Sequence, residues 1–354
     1  MTKKVLIVDD SALMRRTLSD IINSDALLEV KDIADNGQEA LDALLVGRKY
    51  DIVLLDIVMP KMSGVQFLRE INKYKIHIPV VIVSSIASKS AKETIEALSL
   101  GAFDFVKKPS GVAGQELKDF QRQLLMRVYL ACGIHVDAAE GKGKDIASTA
   151  LQKGNTMPAR VRGKRLVVIA SSTGGPKALQ SVIPYFPADF PYPIVVVQHM
   201  PTGFTASLAS RLDSMSLLTV KEAQDGEEIK AGYVYIAQGG KQCELLEREQ
   251  GIFVLSEQDK PARGGLKPCA DIFLESLAET SLDYFVCGVL TGMGSDGCKG
   301  IQFAKRYKQM RVVAQDKGTS VVYGMPRAVA EAGVVDVVVP LEDVANAMIK
   351  QLGV

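Results

Sequence analysis

Short apolar runs rich in β-branched residues recur along this chain, and most are followed by a stretch of helical periodicity. That alternation is the βα pattern of a parallel α/β sheet. The residues that end the runs are unusual in their chemistry. Val5-Leu6-Ile7-Val8 leads into Asp9 and Asp10, Ile52-Val53-Leu54-Leu55 into Asp56, and Val80-Val81-Ile82-Val83 into Ser84. In the second half, Leu166-Val167-Val168-Ile169 precedes Ser172, Ile194-Val195-Val196-Val197 precedes His199, and Phe285-Val286-Cys287-Gly288-Val289-Leu290 precedes Asp296. In parallel α/β sheets, ligands and chemistry collect at the carboxyl ends of the strands, where the loops are free of packing duties.

The pattern predicts strands near 4–8, 28–33, 52–55, 79–83 and 103–106, with helices at 12–23, 37–47, 64–73, 89–99 and 115–131. Five βα units make a complete domain, 1–131. Between 132 and 164 the periodicity lapses into Gly141-Lys142-Gly143-Lys144-Asp145 and Gly154-Asn155-Thr156-Met157-Pro158, which reads as a flexible linker. Strands resume near 165–170, 193–198, 233–236, 252–255, 284–290, 311–315 and 335–339, and a last helix is expected near 341–351. Residues 165–354 are therefore predicted to form a doubly wound, mostly parallel α/β domain. Its glycine-punctuated middle, around 216–256, suggests a short antiparallel insertion.

A chain of 354 residues, 47% of them hydrophobic, can bury two cores. A net charge of +1 gives no electrostatic case for a nucleic-acid or anionic-membrane partner. No apolar run approaches the roughly 18 residues that would predict membrane insertion. The five cysteines are odd in number and show no Cys-x-x-Cys spacing, which fits a reducing cytoplasm better than a disulfide framework.

Three carboxylates gathered from two strand ends repel one another. A hard divalent cation such as Mg²⁺, held by Asp9, Asp10 and Asp56, relieves that and leaves Asp56 free to attack phosphorus. Ser84 and Lys108 offer a hydroxyl and an ammonium to a bound phosphoryl group. With Asp56-Ile57-Val58-Met59-Pro60, Gly64, the aromatic Phe105 and Lys108-Pro109, residues 1–130 resemble the receiver domain of two-component response regulators. The resemblance implies phosphorylation at Asp56 with Mg²⁺, sensed through Ser84, Phe105 and Lys108. Ser63 departs from it, standing where many members have an acid.

In the second half a serine hydroxyl needs a base, a group to orient that base, and donors for an oxyanion. Of the three histidines, His135 falls in the linker and His77 in the first domain, so His199 is the base candidate. Ser172-Thr173-Gly174-Gly175 sets a serine before small residues that let a helix amino terminus approach negative charge. Gly292, Gly294 and Gly297 spell a Gly-x-Gly-x-x-Gly, with Asp316 at the end of the next strand, as in dinucleotide-binding folds. Asp296 inside that loop opposes a pyrophosphate, and too little chain follows to complete a dinucleotide domain.

Ser172-Thr173-Gly174-Gly175-Pro176, Gln198-His199-Met200-Pro201, Leu290-Thr291-Gly292-Met293-Gly294-Ser295-Asp296-Gly297 and Gly324-Met325-Pro326-Arg327 resemble the catalytic domain of the chemotaxis protein-glutamate methylesterases. The resemblance implies Ser172 as nucleophile, His199 as general base and acid, Asp296 as the group orienting the imidazole, and oxyanion support near Thr173 and Met293. It implies methylated chemoreceptor cytoplasmic helices as substrate, a chemotaxis histidine kinase as phosphodonor, no cofactor for the esterase step, and deamidation of certain receptor glutamines by the same route. Two departures stand out: Ser171 where alanine is usual, and Gly264-Gly265-Leu266-Lys267-Pro268-Cys269 where His-Arg-Pro-Ser is usual. Two other classes compete with this reading, a regulator whose output domain only binds a partner and a dinucleotide-dependent enzyme using the Gly292–Gly297 loop.

Overall fold

The computed structural model describes residues 2–85, 88–109, 111, 114–134 and 164–354. Most of the expected linker, 135–163, and with it His135, lies outside the described residues.

The first sheet is built from β1 (Lys3–Val8), β2 (Leu28–Ala34), β3 (Ile52–Leu55), β4 (Val80–Ser84) and β5 (Asp104–Lys107), in the order β2-β1-β3-β4-β5 and parallel throughout. Its helices are α1 (Ala12–Asn23), α2 (Gly37–Leu45), α3 (Gly64–Lys73), α4 (Ser88–Ser99) and α5 (Gln115–Ala131). Side chains alternate across a strand, so β1 sends Val5 and Ile7 to the α1/α5 face and Leu6 and Val8 to the α2–α4 face. Ser63, the departure noted above, has a local use. Its Oγ accepts from Gln66 N at 3.3 Å while its own N–H donates to Gln66 Oε1 at 2.9 Å, a capping box that starts α3.

The second half comprises β6 (Arg165–Ser171), α6 (Gly175–Gln180), β7 (Ile194–Gln198), α7 (Phe204–Asp213), β8 (Thr219–Glu222), β9 (Glu227–Glu228), β10 (Tyr233–Ile236), β11 (Gln242–Arg248) and β12 (Ile252–Gln258). It continues with α8 (Ala270–Ser276), β13 (Tyr284–Val289), α9 (Cys298–Ala304), β14 (Gln309–Gln315), α10 (Met325–Glu331), β15 (Val337–Val339) and α11 (Val344–Leu352). Seven strands form a parallel sheet in the order β15-β14-β13-β6-β7-β10-β8. β6 lies between β7, which follows it in the chain, and β13, which comes much later, so the strand order reverses there. That crevice is where a doubly wound fold places its chemistry.

The antiparallel element differs in detail from expectation. β8 and β10, both inside the stretch read as antiparallel, join the parallel sheet. Only β9, β11 and β12 are antiparallel, and they form a separate three-stranded sheet. The physical reason is that parallel neighbours need a crossover, and the β8–β10 crossover is an extended excursion that lends β9 to the small sheet.

The two halves touch. α4 packs on α6 and α7, and one continuous buried apolar cluster runs from the α2–α4 face of the first sheet to the α6/α7 face of the second. Among the described residues no helix is long and apolar enough to cross a membrane.

Candidate active site

Ser172 follows β6 directly. Its N–H donates to Thr291 O at 3.0 Å, which holds the serine loop against the segment leaving β13. Gly292 permits that approach, since a Cβ there would stand 2.3 Å from Met325 Sδ and 2.8 Å from Ser172 Cβ. The neighbouring Met293 is held through Gly292, whose carbonyl accepts from Gly324 N at 3.1 Å and Met325 N at 2.8 Å.

His199 follows β7, and its Nε2 lies 2.7 Å from Asp296 Oδ2, with the two side chains 9% and 4% exposed. Asp296 also accepts from Ala270 N at 2.6 Å, Asp271 N at 3.0 Å and the Cys269 thiol at 3.1 Å. Burial alone would raise this carboxyl; the His199, Cys269 and backbone donors outweigh it and hold the group at about 2. A carboxylate this well supplied stays ionised and fixes the imidazole through Nε2. Among the described residues Ser172 Oγ and the His199 ring share no hydrogen bond; in many hydrolases that contact tightens only with substrate bound. Since Asp296 is committed to His199, the Gly292–Gly297 loop has no room for the charge of a pyrophosphate.

The two adjacent serines are clearly distinguished. Ser171 is fully buried and its Oγ donates to Gln198 Oε1 at 2.6 Å, whereas Ser172 is partly exposed. Cys269, the other departure, is buried, and burial raises its thiol to about 12, so it serves as a neutral donor to Asp296.

At the carboxyl end of the first sheet, Asp9, Asp10 and Asp56 present carboxylate oxygens within 4.8 Å of one another. Lys108 Nζ lies 2.8 Å from Asp9 Oδ2 and 2.7 Å from Asp56 Oδ2. Burial raises the Asp56 carboxyl; Lys108 opposes that, and its own ammonium is raised because the two carboxylates outweigh its burial. Ser84 Oγ accepts from Thr94 Oγ1 at 2.9 Å. Phe105, on β5, faces the second half, its ring 4.5 Å from that of Phe204 at the start of α7. His77 is exposed and precedes β4, so it stands before the amino end of that strand, whereas Ser84 ends it.

Residues 167–348 match the family model "CheB methylesterase", and residues 5–119 match "Response regulator receiver domain". The chain belongs to the CheB methylesterase family. Across 99% of each chain it is 42% identical to "Protein-glutamate methylesterase/protein-glutamine glutaminase 1" of Syntrophomonas wolfei. It is 40% identical to the Bacillus subtilis protein-glutamate methylesterase/protein-glutamine glutaminase, over 97% of this chain and 96% of that one. The crystal structure of the Thermotoga maritima CheB methylesterase catalytic domain shares 47% identity, covers 54% of this chain and 99% of that one, and superposes with a TM-score of 0.51.

Within this CheB-family chain, three residues around the sites escaped reading from sequence. Gln198 is buried and bonded to the backbone of both Ser172 and His199. Asp104 accepts from Thr173 Oγ1 at 2.9 Å and from Arg127 Nε at 3.0 Å. Gln180 accepts from Ser99 Oγ at 2.7 Å, joining α6 to α4. Gln198 stands in a motif that sequence alone quotes; Asp104 and Gln180 carry no local signal.

Proposed function

We propose that this chain hydrolyses glutamate methyl esters on the cytoplasmic helices of chemoreceptors, and that phosphorylation of Asp56 controls it. The observation that carries the reading is the buried His199–Asp296 pair at the sheet's reversal point, with the partly exposed Ser172 held on the neighbouring strand end. Ser172 Oγ attacks the γ-carbonyl while His199 Nδ1 takes its proton, and the imidazolium returns that proton to the departing methoxide, releasing methanol. Water, deprotonated by the same nitrogen, then cleaves the acyl-serine, leaving free glutamate and regenerating the hydroxyl. Donors near Thr173 and Met293 support the oxyanion. An amide meets the same groups, so receptor glutamine is deamidated with loss of ammonia. The esterase step needs no cofactor.

In this reading residues 1–131 are the receiver, 132–164 the linker and 165–354 the catalytic domain, working in the cytoplasm. Asp9, Asp10 and Asp56 form the hard-oxygen set that suits Mg²⁺. The ion, when bound, neutralises charge as Asp56 accepts a phosphoryl group from a histidine kinase. Ser84 and Lys108 are positioned to bind that group, and Phe105 transmits its arrival to Phe204. Methanol release from methylated receptor, compared between the wild-type chain and Ser172→Ala, tests the proposal. Loss in the variant is expected, and full turnover without Ser172 would refute the assignment.

A further inference from the structure

The nucleophile and its base leave the sheet from neighbouring strands. The β6–β7 register ends at the pair Ser171–Gln198, and one further backbone bond, His199 N to Ser171 O at 3.1 Å, closes the ladder. Beyond it Ser172 and His199 are on separate loops, and nothing in strand pairing fixes their spacing. One side chain bridges the gap. Gln198 Nε2 donates to Ser172 O at 3.0 Å and to His199 O at 3.1 Å, while Gln198 Oε1 accepts from Ser171 Oγ at 2.6 Å.

The amide's orientation follows from its partners. Both groups facing Nε2 are carbonyl oxygens, which only an NH₂ can satisfy, and the hydroxyl of Ser171 supplies the donor that Oε1 requires. Gln198 is 1% exposed and Ser171 0%, so water does not compete for these bonds. The space is shaped around the amide as well, for a Cβ at Gly175 would lie 2.0 Å from Gln198 Oε1 and 2.9 Å from Ser171 Oγ.

We propose that Gln198 is a positioning residue, an amide clamp that sets the distance between the backbones of Ser172 and His199, with the Ser171 hydroxyl locking the clamp's orientation. This rests on the reading of Ser172 as nucleophile and His199 as base. Neither Gln198 nor Ser171 touches substrate in it. Proton transfer from hydroxyl to imidazole demands tight placement, and a displacement of about 1 Å can cost on the order of 100-fold in rate. The clamp's contribution therefore falls on the chemical step and leaves receptor binding alone.

The test uses the full-length chain with saturating phosphodonor and Mg²⁺. It measures kcat and KM for methanol release from methylated receptor, together with the rate at which a sulfonyl fluoride inactivates the enzyme, a readout of serine reactivity that needs no receptor. Gln198→Met, similar in length but without the amide's donors or acceptor, is expected to lower kcat about 10- to 100-fold with KM within about threefold, and to slow inactivation in parallel. Ser171→Ala, which removes one of the three bonds, is expected to lower both rates about three- to tenfold, and Ser171→Thr, which keeps the hydroxyl, to restore them. Wild-type kcat in Gln198→Met, or a rise in KM alone, would overturn the clamp. So would a lowered melting temperature with both rates intact. If Gln198→Met does not fold, Ser171→Ala decides the matter, since unchanged rates there overturn the proposal by themselves. Ser172→Ala separates the two levels: inactivity there with normal Gln198 variants defeats the clamp alone, whereas activity there defeats the triad beneath it.

Discussion

The hydroxyl of Thr173 donates to the carboxylate of Asp104 across 2.9 Å, tying the residue after Ser172 to the strand that carries Phe105. Asp104 is 5% exposed and shared with Arg127, so its charge is held by protein donors and not by water. A hydrogen bond to a buried charge contributes on the order of 1.5–3 kcal/mol. If this bond helps close the receiver over the active site, Asp104→Ala, placed in an Asp56→Asn background that excludes phosphorylation, should raise methanol release about tenfold or more. Equal rates with and without Asp104 would make the contact structural only.

Phe105 and Phe204, with ring centroids 4.5 Å apart, put the receiver's aromatic in direct contact with the helix that follows the His199 loop. Phosphodonor plus Mg²⁺ should therefore raise the rate of the intact chain, and Asp56→Asn should remove that response while keeping the basal rate. The catalytic fragment from about Arg162 onward should exceed the unphosphorylated full chain. A fragment no faster than the full chain, with no response to phosphodonor, would reassign the receiver to recruitment.

Asp296 is held at about 2 against an ordinary 3.8. A depressed carboxyl contributes stability that is present above its unfolded pKa and lost as pH falls through its folded one, here from about 4 to about 2. The difference corresponds to about 2 kcal/mol. Urea titrations of the wild type and Asp296→Asn should differ most above pH 4 and converge near pH 2. Curves that stay equally far apart across that window would contradict an ionised, donor-rich Asp296. From pH 5 to 8 the group does not titrate, so an acid limb in the esterase profile over that range reports some other group.

Glu257 on β12 is 3% exposed, and burial raises its carboxyl to about 7 from an ordinary 4.5. The sign is opposite to that of Asp296. Stability is fully present below the unfolded pKa and is lost as pH rises through the folded one, between about 4.5 and 7, by about 3 kcal/mol. Glu257→Gln should thus match the wild type at pH 4.5 and exceed it at pH 8 in thermal melts. A variant that is less stable at pH 8 would show that Glu257 is ionised and paired.

The positions of Asp56, Ser172 and His199 were legible because each follows an apolar run too short for a helix, and strand ends in a parallel sheet are where polar groups become available. Other features depend on which elements meet in space, and no local pattern encodes that. The spacing of Tyr233–Ile236 reads the same whether its neighbour runs parallel or antiparallel, so the parallel β8–β10–β7 order had to be observed. Asp104 looks like an ordinary strand-start acid until Thr173 is brought beside it. Of the adjacent serines only Ser172 precedes Thr-Gly-Gly, which sequence shows; that Ser171, the last residue of β6, is buried against Gln198 while Ser172, just past the strand, is partly exposed had to be observed.

Both members of the Thr173–Asp104 pair, like both members of Ser99–Gln180, belong to one polypeptide. Their encounter is unimolecular, and the tether keeps each half at a high effective concentration around the other however few molecules a cell contains. Dilution cannot break such an intramolecular contact. If the contact closes the active site, as Asp104→Ala tests, the ratio of closed to open enzyme is a property of each molecule, and a cell can change the amount of this protein without changing the fraction of it that is switched on.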